Sequence, residues 1–107
     1  MKIYKIVRHN HVVATVNGKP LRHIVLYSPT GFYFSHRGHG QLDLAVSILA
    51  DYFGEDPTKE QLFYDECQCC LAHEDFKQNF LDVQHGDSFT ISEEEIKLWY
   101  AQRRKRI

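Results

Sequence analysis

Cys67, Cys69, Cys70 and His73 crowd four soft donors into seven residues. Thiolate and imidazole are the ligands zinc prefers, so metal chemistry is sought here first. A continuous helix would put Cys67 and Cys70 on one face, with His73 a turn further along and Cys69 turned away. One helical face cannot surround a tetrahedral ion, and the chain has no second cysteine pair to close the shell. The expectation is therefore that Cys67 and Cys70 are small core hydrophobes, with no metal and no cofactor. Three cysteines also fit free thiols in a reducing compartment, the cytoplasm by default.

The seven histidines, notably His9 with His11 and His36 with His39, titrate near neutrality. No serine or cysteine has the setting of an activated nucleophile, so no catalytic residue is assigned. Gly38-His39-Gly40 could offer backbone N–H groups to an anion, but the Lys-Ser/Thr ending of a phosphate loop is absent. Two glycines before a helix serve simply to turn the chain.

Candidate polyanion contacts are Arg103, Arg104, Lys105 and Arg106 in the tail, and Tyr27, Tyr33 and Arg37 in the first half. Glu93, Glu94 and Glu95 open the helix that the four cations close, as the helix macrodipole favours. Four adjacent cations nevertheless exceed what a dipole needs. If Ile24, Leu26, Phe32 and Phe34 face inward, His23, Tyr27, Tyr33 and Arg37 share an outer sheet face, where aromatics stack bases and cations hold phosphates.

The elements that must position these residues centre on Gly38 to Gly54. Within it Asp43, Ser47 and Asp51 recur at i, i+4 and i+8 as one narrow polar stripe, and nearly all the rest is apolar. Such a helix is buried on more than one side. At about 13 residues and roughly 20 Å it is too short to cross a bilayer. Gly40 serves as its N-cap, and Gly54 as the left-handed residue that closes it.

Ahead of it, strands are expected over Lys2–Arg8, His11–Val16, Leu21–Tyr27 and Phe32–His36. The turns between them are His9-Asn10, a type I′ turn at Asn17-Gly18 and a type I turn at Ser28-Pro29-Thr30-Gly31. Pro20 marks an edge. Behind it, a helix from Pro57 to about His73, N-capped by Asp56, would present Leu62, Phe63, Cys67, Cys70 and Leu71 inward. Phe76 to Val83 is read as a fifth strand, although Phe76, Phe80 and Val83 also fit a helical stripe. Ser92 to Glu95 is a capping box that starts the last helix, with Ile96, Trp99 and Tyr100 on one face.

Charge is segregated: residues 1–40 hold six cations and no acid, while residues 41–75 hold nine acids against Lys59. These halves are expected to pair with each other within the fold, since net charge speaks to association more than to architecture.

The motifs Gly38-x-Gly40, Leu44-Ala45-Val46-Ser47-Ile48-Leu49-Ala50-Asp51, Phe76-Lys77, and Glu95-Ile96 with Trp99 run through most of the chain. On them the sequence resembles a family of small uncharacterised bacterial and phage proteins. Gln78 stands where similar members carry an aromatic. The resemblance implies an accessory protein, often from mobile elements, and brings no activity and no catalytic residue.

The 107 residues suit one α+β domain: an antiparallel sheet from an N-terminal meander, packed against about three helices. The leading function is a small non-catalytic module that binds another macromolecule, a protein first. Nucleic-acid binding through the basic sheet face and tail is the alternative, and a metal- or histidine-dependent enzyme is third. No membrane partner is expected, and self-association is left open.

Overall fold

The sheet grows around β1 (Ile3–Arg8), whose alternation is clean: Tyr4 and Ile6 are fully buried, while Ile3 and Lys5 are exposed. The computed structural model describes residues 1–26, 31–32 and 40–105. Strand β2 (Val12–Val16) pairs antiparallel with β1, placing Tyr4 opposite Val16 and Arg8 opposite Val12. Val12 and Ala14 face the core, and Val13 faces outward. Asn17 and Gly18 both adopt positive φ, as a type I′ turn requires. The Asn17 side chain also accepts the Ile3 N–H at 2.8 Å, which fixes the register. The first turn is longer than the expected two residues: His9, Asn10 and His11 all lie between the strands.

The third strand is much shorter than the expected Leu21–Tyr27. Only Lys19–Pro20 (β3) pairs with β2, at the edge that Pro20 calls for. After a last bond from the Leu21 N–H to the Ala14 carbonyl oxygen at 3.0 Å, residues 22–25 leave the sheet and follow the central helix, where the Ile24 N–H donates to Ser47 Oγ at 2.8 Å. A buried hydroxyl on the helix thus captures backbone that the sheet would otherwise pair. Phe32 forms a single bridge to Val12. The rest of the expected fourth strand, and residues 28–30 of its turn, lie outside the described residues.

Helix α1 (Gly40–Phe53) covers its expected span, with Gly40 as its first residue and not its N-cap, and is closed by Gly54 at φ 69°. Leu44, Ala45, Val46, Ile48 and Leu49 are fully buried, so the helix packs on several sides at once. The following helix is not continuous. It breaks into α2 (Lys59–Phe63) and α3 (Gln68–Phe76), with Asp65 at φ 52° between them. Thr58, not Asp56, caps α2 through a capping box with Gln61. The break rotates the inner face: Cys69, Ala72, His73 and Phe76 are buried, whereas Phe63 and Leu71 are exposed.

The expected strand over Phe76–Val83 is also overturned. Residues Lys77–Leu81 continue α3 as a π-helical turn. Phe76 stacks on Phe80 at 4.7 Å between ring centroids, and both meet Trp99 edge-on. An aromatic pair four residues apart needs helical geometry to stack on one partner. The missing strand lies further on, as β4 (Ser88–Ser92), which pairs antiparallel with β1 and completes the order β3-β2-β1-β4. Ser92 ends that strand and caps α4 (Glu93–Lys105) through the expected box with Glu95. The fold is α+β, with one sheet edge supplied by the C-terminal half.

The basic and acidic halves do meet. Lys2 pairs with Asp51 at 3.2 Å, and Arg22 with Asp56 at 2.7 Å.

Candidate functional site

The polar stripe of α1 is the seam between helix and N-terminal segment, and each of its residues has a partner there. Asp43, with no exposed surface, meets His23 through Oδ2 and Nε2 at 2.8 Å. Ser47 takes the Ile24 N–H. Asp51 accepts from the Tyr4 hydroxyl at 2.7 Å and from Lys2 Nζ at 3.2 Å. Burial, and then the bond to Asp51, push the Tyr4 hydroxyl above the ordinary tyrosine range. His23 therefore faces inward, with its ring 4.3 Å from Phe32, and does not belong to an outer aromatic face.

A groove of about 300 Å³ opens beside this seam, lined by Lys2, Arg22, Ser47, Asp51 and Glu55 among others. Each of its charges is engaged within the fold: Lys2 with Asp51, Arg22 with Asp56, and Glu55 with the amides of Gln68 and Cys69. Although serine, histidine and aspartate all occur near it, Ser47 is bound to a backbone amide and His23 to Asp43. The arrangement joins helix to chain and supplies no nucleophile-and-base pair of the kind acyl transfer needs.

The break before α3 gathers the thiols. Cys67 is its N-cap in extended conformation, and Cys69 and Cys70 follow in the first turn. All three sulfurs lie within 4.8 Å of one another and all three residues are buried. Cys69 is thus not turned away, because Cys67 stands outside the helix. Glu55 caps the helix, accepting from the backbone N–H groups of Cys69 at 2.8 Å and Gln68 at 3.1 Å. Burial is the largest cause raising each thiol above the usual cysteine range, with Cys70 and Glu55 adding to it at Cys69. His73 is elsewhere engaged, its Nδ1 against the Cys70 carbonyl oxygen.

Beside α2 lies an apolar groove of about 450 Å³, lined by Val25, Leu26, Leu62 and Phe63 together with Lys59, Asp65 and His73. Helix α2 buries none of its residues. Phe63 is 79% exposed and Tyr64 is 64% exposed, their rings edge to face at 5.0 Å. A five-residue helix cannot hold itself in water; the capping box of Thr58 with Gln61 and the packing of Leu62 against the core hold this one. Sequence reasoning assigned Phe63 to an inner face because it took α2 and α3 as one helix.

Among the proposed polyanion contacts, Arg103 is drawn into the fold: it pairs with Asp75 at 3.4 Å and donates to the Leu71 carbonyl at 3.2 Å. Arg104 is exposed. Lys105 ends α4, while its side chain, with Arg106, Tyr27, Tyr33 and Arg37, lies outside the described residues.

A family model described as "Family of unknown function (DUF6166)" matches residues 4–102. No curated protein and no solved structure matches the chain.

Proposed function

The chain belongs to that family of unknown function, and on its own geometry we propose that it is a small non-catalytic interaction module that binds another protein. The binding face is the groove of Val25, Leu26, Leu62 and Phe63. The observation that carries this reading is the exposed Phe63 at the mouth of an apolar groove, on a helix of which only Leu62 packs, partly buried, against the core. Exposed apolar surface of this kind costs solubility unless a partner covers it. Aromatic residues at a groove are the usual anchors of an interface. Lys59 and Asp65 at the rim would set orientation more than affinity. The reading extends to a cytoplasmic accessory protein of the bacterial or phage kind.

Nucleic-acid binding is the less supported alternative, since Arg103 already serves Asp75 and the Leu71 carbonyl. No helix among the described residues is long and apolar enough to cross a membrane.

The test is a photoreactive phenylalanine analogue at position 63 of the full chain, expressed in its native host. A discrete protein adduct is expected, lost when Leu62→Asp is added in a variant that keeps its melting temperature. The same labelling placed at exposed Glu94 serves as the control. Equal adducts from both positions, or adducts to nucleic acid alone, would refute the proposal.

A further inference from the structure

Burial alone explains cysteines in a core, but it does not explain three thiols meeting one another beside a carboxylate. The sulfurs of Cys67, Cys69 and Cys70 lie within 4.8 Å of one another. Zinc–sulfur bonds of about 2.3 Å at tetrahedral angles set sulfurs about 3.8 Å apart, so closing this triangle on an ion needs shifts of about 1 Å or less. Rotation about the cysteine side-chain bonds supplies that without moving the backbone. We propose that Cys67, Cys69 and Cys70 hold a zinc-class divalent cation as three thiolates, with Glu55, which bonds the Cys69 amide, as the candidate for the fourth position.

Three features of the structure support that ligand. The objection to a metal on one helical face disappears, because Cys67 is extended at the N-cap while Cys69 and Cys70 ride the first turn. Three thiolates and the Glu55 carboxylate around a divalent ion leave two net negative charges, and the N-terminal end of α3 is where a helix stabilises negative charge. Glu55 already bonds the amides of Gln68 and Cys69, so it can act as ligand or as the outer partner that holds the loop. Binding is a plain exchange: three thiol protons pass to the buffer as three metal–sulfur bonds form, with no change of oxidation state. A site this enclosed, with Cys67 at 8%, Cys69 at 0% and Cys70 at 3% exposure, is of the structural kind.

The experiment is a cobalt titration of the full chain, fully reduced and stripped of metal. Thiolate-to-cobalt charge-transfer bands are expected to saturate at one equivalent and to disappear when zinc displaces the cobalt. Cys69→Ser should weaken the bands by about a third and lower the affinity at least tenfold. Glu55→Gln should keep the charge-transfer bands and alter the ligand-field ones. Absence of charge-transfer bands at excess cobalt in the unaltered chain overturns the proposal even if no variant folds. Unchanged bands in a folded Cys69→Ser chain overturn it as well.

Discussion

The seam between α1 and the segment before it makes a sharp demand on His23 and Asp43. Their bond of 2.8 Å joins a side chain 24% exposed to one that is wholly covered. A hydrogen bond involving a charged group contributes about 1.5–3 kcal/mol, which is the coupling energy expected from a double-mutant cycle of His23→Ala and Asp43→Ala. Each single variant breaks the pair: Asp43→Ala hollows a wholly covered site, and His23→Ala strips a ring from Phe32, so about 3–5 kcal/mol is expected of each. Against a total stability of about 5–15 kcal/mol either loss is large. Urea unfolding of the four proteins, with slopes held equal, measures all three quantities. A coupling below about 0.5 kcal/mol would show that the pair is incidental to the seam.

Leu49→Ala should cost about 2–5 kcal/mol, because its side chain is fully buried on α1; a loss under about 0.5 kcal/mol in the same assay would make the helix peripheral. Tyr4 bears on alkaline stability. Its folded hydroxyl holds the proton beyond the pH, about 10, at which the unfolded chain releases it. Stability therefore falls by about 1.4 kcal/mol per pH unit above that point, and Tyr4→Phe should flatten the slope by that amount in melts between neutral and strongly alkaline buffer. Deleting residues 104–107 tests the tail: each helix-end cation is worth about 0.3–1 kcal/mol at most, so a small drop in melting temperature is expected, with no nucleic-acid affinity to lose. Micromolar binding by the full chain, weakened by the deletion and with a salt slope reduced by about 0.9 per lost duplex contact, would favour the nucleic-acid reading.

Local patterns determined the parts of this protein whose cause is local. Tyr4 and Ile6 alternate into the core, Asn17-Gly18 forces the positive φ of its turn, Gly54 ends α1, and Ser92 with Glu95 caps α4. Each follows from backbone sterics or a bond spanning three residues, so neighbours suffice to specify it. The candidate sites were not of that sort. β4 is short and half polar, and only pairing with β1 across the whole chain makes Ser88–Ser92 a strand. The ambiguous run after Glu74 became helical because Trp99, distant in sequence, offers Phe76 and Phe80 a common aromatic partner. Residues 22–25 left the sheet because Asp43 and Ser47 are covered by it and need polar partners there. The break at Asp65 had the widest effect. Helical periodicity alone runs straight through it, hiding Phe63 inside and pointing Cys69 away. Tertiary packing of α3 on α1 instead sets Phe63 in solvent and brings the three thiols together, because the inner face of α3 had to be the one carrying Cys69, Ala72 and Phe76.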